Sequence, residues 1–87
     1  MGNASTARSR FDRAIVQYRE AIRLRPDDPA PHSALGSLLD EQGRVDQAIA
    51  EYRQALRINP AFADAHNNLG TALARQGDAA GTIADFL

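Results

Sequence analysis

An internal repeat of 34 residues constrains the fold of this chain more than any other feature of its sequence. A supersecondary unit that repeats at such a period cannot bury its apolar face alone, so neighbouring units must stack into a solenoid. Identical residues recur at this spacing: Ala14, Ile15, Tyr18, Ala21 and Pro26 as Ala48, Ile49, Tyr52, Ala55 and Pro60, and His32, Leu35, Gly36, Leu39, Gln42 and Gly43 as His66, Leu69, Gly70, Leu73, Gln76 and Gly77.

Each half of the repeat has the apolar spacing of a helix. Apolar or small residues separated by three and four positions form one face of a helix, as they do from Val45 onwards. Glycine ends helices and proline cannot continue them. We therefore expect breaks at Gly43-Arg44 and Gly77-Asp78, with Asp28 capping the helix that begins at Pro29. The predicted helices lie near 11–25, 29–42, 45–59, 63–76 and 79–87.

Composition excludes several classes of protein. The chain has 87 residues, 44% of them hydrophobic, which is enough for one small globular domain. It contains no Cys, so disulfide scaffolds and thiolate metal sites are excluded. No apolar run approaches the roughly 18 to 20 residues of a membrane-spanning helix. We expect a soluble, cytoplasmic chain without a membrane partner.

The repeat resembles a known family at several independent positions. The pattern Leu35-Gly36, Gly43, Ala48, Tyr52, Ala55, Pro60 is similar to the tetratricopeptide repeat (TPR), and the segment 65–70 resembles the start of its unit. This resemblance implies an all-α fold in which antiparallel helix-turn-helix repeats stack as a right-handed superhelical solenoid. The chain departs from the family pattern at His32, His66, Arg44 and Gly81-Thr82.

We predict a single domain over 1–87, with a partial first repeat at 1–28, a complete repeat at 29–62 and a truncated last repeat at 63–87. Repeat arrays normally need about three units and polar capping ends. We consider two hypotheses for the function. In the first, the domain is a protein-protein interaction scaffold or adaptor that binds a partner segment in its concave groove. In the second, it is a fragment whose uncapped ends form homo-oligomers.

The resemblance also implies where a partner would bind, because the first helix of each TPR pair lines the concave surface. Asn68 takes the place of an asparagine ladder that holds peptide backbones in superhelical members of the family, but Ala34 precedes it by one repeat. Asp40 and Glu41 make part of the groove acidic and disfavour an acidic C-terminal tail. The candidate groove residues are Ser33, Ser37, Asp40, Glu41, Asn67, Asn68, Thr71 and Arg75.

No residue pattern favours catalysis, a metal or a cofactor. The two histidines occupy equivalent repeat positions, about 10 Å apart for packed helices, which is too far for one zinc ion. We interpret them as structural and predict that the chain is not an enzyme. Six Arg within residues 1–26 give that segment a charge of +4, against -5 for residues 27–87. A nucleic-acid interface is disfavoured, because a pI near 6.0 is not that of a basic domain.

Overall fold

The computed structural model describes the backbone of residues 3–85 and the side-chain surroundings of residues 9–77. Over that part of the chain the secondary structure is helical. None of the described helices is long and apolar enough to cross a membrane. The four helices are α1 (Asn3–Leu24), α2 (Pro29–Glu41), α3 (Val45–Ile58) and α4 (Ala63–Asp85).

Helices α2 and α3 form a central hairpin, and its boundaries have identifiable chemical causes. Asp28 caps α2 by accepting a hydrogen bond from the backbone N of Ala30 at 3.0 Å, as the sequence predicts. At the other end Gly43 has φ +81°, a left-handed conformation that suits glycine. The N of Gly43 then donates to the O of Asp40, and the N of Arg44 to the O of Leu39, both at 2.9 Å. These two bonds form the Schellman motif that ends α2 and allows α3 to turn back.

The core lies between α2, α3 and α4. Tyr52 and Leu35 are its largest fully buried side chains. Alanine occupies other core positions, which lets the helices approach closely. The buried cluster consists of Leu35, Leu39, Ala48, Ile49, Tyr52 and Ala72, with Ile15, Tyr18, Ile22, Val45 and Leu69 packed against it.

Gly36 explains how closely α2 and α3 approach. A Cβ added at Gly36 would lie 2.6 Å from Cε1 of Tyr52 and 3.1 Å from the O of Ala48. The Tyr52 ring therefore occupies the space that any other residue at position 36 would need. Gly70 is the repeat equivalent of Gly36, but a Cβ there would meet nothing within 4 Å.

The two outer helices correct the predicted boundaries. The predicted break at Gly77-Asp78 is wrong, because α4 continues through both residues to Asp85, and no separate helix begins at 79. Gly77 is not among the described residues with positive φ, and the alanines that follow favour helix. Likewise α1 begins at Asn3 rather than near residue 11; Ser9 stands where Gly43 ends α2, so no glycine stops the helix there.

The order of packing follows the order of the chain. Helix α2 contacts the other three helices, whereas α3 contacts α2 and α4. Among the described helices, α1 packs on α2 alone. The outer helices are therefore covered on one side only.

Candidate functional site

The candidate groove lies between α2 and α4, the first helices of two successive repeats. These helices contact each other directly, so equivalent positions on them come together. The hollow between them has a volume of about 400 Å³ and is open to solvent. It brings together four of the eight predicted residues with four others, and its lining consists of Ala30, Ser33, Ala34, Ser37, Phe62, Asp64, Asn67 and Asn68.

The two serines on α2 lie on the side of the groove that faces the core. Ser33 is 5% exposed, and Ser37, one turn further along the same helix face, is partly buried. Ala34 adds no side chain beyond Cβ. Because the residues on this face of α2 have small side chains, the main chain of a bound segment can approach the helix closely.

The α4 wall carries the two amides. Asn67 is exposed and Asn68 is half-buried, so one amide stands at the rim and the other deeper in the groove. Each amide can donate and accept hydrogen bonds at once. Thr71 follows on the same helix, but its Oγ1 donates to the O of Asn67 at 3.1 Å. Its hydroxyl hydrogen is thus engaged within α4.

The remaining candidates lie towards the C-terminal end of α2. Nη1 of Arg75 donates to Oδ1 of Asp40 at 2.8 Å and so joins α4 to α2. The Asp40 side chain is only 13% exposed, whereas Arg75 is 57% exposed. Glu41 is exposed beside them. The pairing offsets part of the negative charge that the sequence predicts here, and it leaves Glu41 as the acidic group in contact with solvent.

Tyr52 lies beneath this end of the groove. Burial raises the pKa of its hydroxyl, and the negative charge of Asp40 raises it further, while hydrogen bonding with Ser37 opposes the shift. The phenol is therefore neutral at physiological pH. Its ring fills the space beside Gly36.

Sequence reasoning missed the apolar end of the groove. Phe62 is half-buried in the short connection between α3 and α4 and lines the groove together with Asp64. The repeat gave no signal for it, because the residue 34 positions earlier is Asp28, a helix cap. An aromatic residue just before a polar helix start was the available indication.

The histidines are engaged separately. Nδ1 of His32 is 2.8 Å from Oε1 of Glu51, a partly buried contact between α2 and α3. Nε2 of His66 is 2.5 Å from the O of Pro60, which ties the start of α4 to the preceding turn. Among the described residues, no group of three or more His, Cys, Asp or Glu side chains is placed to hold a metal ion.

Comparison with known proteins agrees with this architecture. The family described as TPR repeat matches residues 2–43 and 38–77, which together span most of the chain. The chain therefore belongs to the TPR family. TPR repeats generally mediate protein-protein interaction, and the family typically provides scaffolds rather than enzymes. No curated protein matches the chain significantly.

Proposed function

We propose that this domain is an interaction scaffold that binds an extended segment of another protein in the groove between α2 and α4. The observation that carries the proposal is the grouping of Ser33, Ser37, Asn67 and Asn68 around one open hollow. Two hydroxyls on one wall and two amides on the other can satisfy both the N–H and C=O groups of a peptide main chain. Such contacts hold a backbone without reading its side chains.

The rest of the lining limits which segments fit. Phe62 and the alanines offer an apolar end for one side chain of the bound segment. Asp64 is the charged residue of the lining. Glu41 lies outside the lining, at the C-terminal end of α2, and is exposed. Arg75 is already paired with Asp40. We therefore propose a neutral or basic segment with an apolar anchor, and not an acidic C-terminal tail.

We also propose that the groove belongs to a single domain in which the hairpin of residues 29–62 is the complete repeat. A partial repeat at 1–28 and a truncated repeat at 63–87 flank it. On this division α2 supplies one wall and α4 supplies the other, so the binding surface needs both repeats. Substitutions in the α2 wall alone, or in the α4 wall alone, should therefore each weaken binding of the partner segment.

A display library of random twelve-residue peptides provides the test. Selected peptides should be poor in Asp and Glu, and their affinity should fall at least tenfold in Asn67→Ala/Asn68→Ala. Asn67 is exposed and Asn68 is half-buried, and neither belongs to the buried core cluster, so circular dichroism should report unchanged helicity. Gln54→Ala, an exposed amide on α3 away from the groove, is the matched control and should bind like the wild type.

Two results would contradict the groove. One is a library that yields no binder; the other is a set of binders whose affinity is unchanged in the double variant. Titrations should be made at the lowest protein concentration that gives a signal, so that association between copies of the domain does not compete.

A further inference from the structure

Two helices with the same sequence pattern are covered differently in this structure. Ala48, Ile49, Tyr52 and Ala55 on α3 are all buried, with Tyr52 1% exposed. Their repeat equivalents on α1 are only half-buried: Ala14, Ile15, Tyr18 and Ala21. Helix α3 packs between α2 and α4, whereas α1, among the described helices, contacts α2 alone. The stripe on α1 therefore lacks one of the two helices that bury its counterpart.

Helix α4 has an uncovered surface that corresponds to the surface of α2 on which α3 packs. Gly36 on α2 is filled by the Tyr52 ring, but at its equivalent Gly70 a Cβ would meet nothing within 4 Å. Leu39 is 2% exposed, whereas its equivalent Leu73 is 39% exposed. Helix α4 thus presents the same glycine notch and leucine as α2, and no helix among the described residues covers them.

We infer that α1 of a second copy of this chain covers this face of α4. In the proposed junction, Tyr18 of one copy enters the notch at Gly70 of another, as Tyr52 enters the notch at Gly36 within each copy. The occupant follows from the repeat itself, because α1 carries the residues that α3 uses to fill the equivalent notch. This inference does not depend on the groove, since Gly70 and Tyr18 do not line it.

The lengths of the two helices agree with this pairing. In the hairpin, position 36 lies opposite position 52, and the helices run antiparallel. Carried over by one repeat in each direction, the same register sets Tyr18 opposite Gly70. Leu24 then lies opposite Asp64 and Asn3 opposite Asp85. The described 22 residues of α1 are thereby paired along nearly the whole of the 23-residue α4.

The continuous form of α4 makes such a pairing possible. A turn at Gly77 would fold the chain back over the notch, but α4 continues as one helix to Asp85. Helix α1 is likewise continuous from Asn3. With 22 and 23 residues, α1 and α4 are longer than the 13 and 14 residues of α2 and α3, so each offers a continuous face along which a helix of another copy can pack.

Charge favours the same contact. The sequence of α1 carries a net charge of +3, and that of α4 carries -2. Opposite net charges steer unlike ends together and oppose pairing of like ends. The charged residues are Arg8, Arg10, Asp12, Arg13, Arg19, Glu20 and Arg23 on α1, and Asp64, Arg75, Asp78 and Asp85 on α4.

The junction is heterologous, because it joins one end of a copy to the other end of the next. Each repeat consists of a first and a second helix. Helices α2 and α4 are first helices, and α1 and α3 are second helices, so the two kinds alternate along the chain. A following copy continues that alternation without interruption. Such an interface leaves free ends on every assembly unless the array closes into a ring, so the assembly grows as concentration rises.

Analytical ultracentrifugation over a hundredfold concentration range tests the junction. For the wild type, the weight-average mass should rise above the 9.4 kDa of one chain. Gly70→Ala adds a methyl group where the chain itself has open space, so the variant should fold but stay at the mass of one chain at every concentration. Tyr18→Ala should also stay monomeric, whereas the control Gln54→Ala should assemble like the wild type.

Mixing the two monomeric variants makes the test specific. Gly70→Ala retains Tyr18 and Tyr18→Ala retains Gly70, so an equimolar mixture contains one intact junction. It should give a 1:1 dimer and nothing larger. Circular dichroism checks that each variant is folded before mixing. A wild type that remains at 9.4 kDa throughout, a Gly70→Ala variant that assembles normally, or a mixture of folded variants without dimer would each overturn the proposal.

Discussion

The central hairpin and the outer helices carry nearly the same sequence pattern, yet the hairpin buries it more completely. Leu39 and Leu73 occupy the same repeat position, and one is 2% exposed while the other is 39% exposed. Gly43 and Gly77 are also equivalent, but the first ends a helix and the second lies inside one. A residue in a solenoid thus has its burial and conformation decided by the neighbouring helix as much as by its own unit.

The largest expected difference between the two regions is at their equivalent tyrosines. Tyr52→Ala removes a fully buried ring and should destabilise the domain by about 3–5 kcal/mol, the usual cost of deleting a large aromatic side chain from a core. Tyr18→Ala removes a half-buried ring and should cost clearly less. Urea denaturation followed by circular dichroism at low protein concentration measures both.

Low concentration matters because Tyr18 also belongs to the proposed junction between copies. Equal losses for the two tyrosines in a monomeric sample would mean that α1 is covered as fully as α3. In that case the contrast between hairpin and outer helices would not hold in solution.

Substituting the equivalent glycines Gly36 and Gly70 by alanine should change the free energy of unfolding in opposite directions. Gly36→Ala forces a Cβ against the Tyr52 ring and the backbone of α3, and overpacking of this kind costs about 1–3 kcal/mol. Gly70→Ala meets open space inside a helix, where alanine is favoured by up to about 1 kcal/mol. Thermal unfolding of dilute samples should place the two variants on opposite sides of the wild type. A destabilised Gly70→Ala monomer would show that the notch is already occupied within one chain.

Sequence alone was sufficient to predict the hairpin. Asp28, Pro29 and Gly43 each act through local chemistry, namely a side-chain cap, a fixed φ and a left-handed turn. The period of 34 then assigns Gly36 and Tyr52 to facing helices. Local signals of this kind do not depend on whether another repeat follows.

The outer helices were not predictable in the same way. A glycine permits a break without requiring one, and the break at Gly43 is stabilised by the return of α3 onto α2. The same inference applied to Gly77 failed because, within residues 3–85, no helix packs back there. The sequence signal was similar, but the tertiary contact that would select the turn was missing.

For the candidate site, repeat equivalence predicted some of the residues that line the groove, but it could not predict which side chains contact each other. It placed Ser33, Ser37, Asn67 and Asn68 on helices that turn out to share one hollow. It could not reveal that Arg75 reaches Asp40, since that contact depends on the distance between two helices. Phe62 was missed because it lies in a connection, where the repeat pattern carries no information.

The smallest expected difference concerns the equivalent turn glycines, and it tests the geometry of α4 directly. Gly43→Ala places a side chain at φ +81°, where a left-handed L-residue costs about 1–2 kcal/mol. Gly77→Ala replaces a glycine inside a continuous helix and should stabilise the domain by up to about 1 kcal/mol. Differential scanning calorimetry of the two variants resolves this change of sign. If Gly77→Ala lowers the melting temperature as Gly43→Ala does, α4 bends at Gly77 in solution. The returning segment would then cover the notch at Gly70, and the chain would have no open face for a second copy.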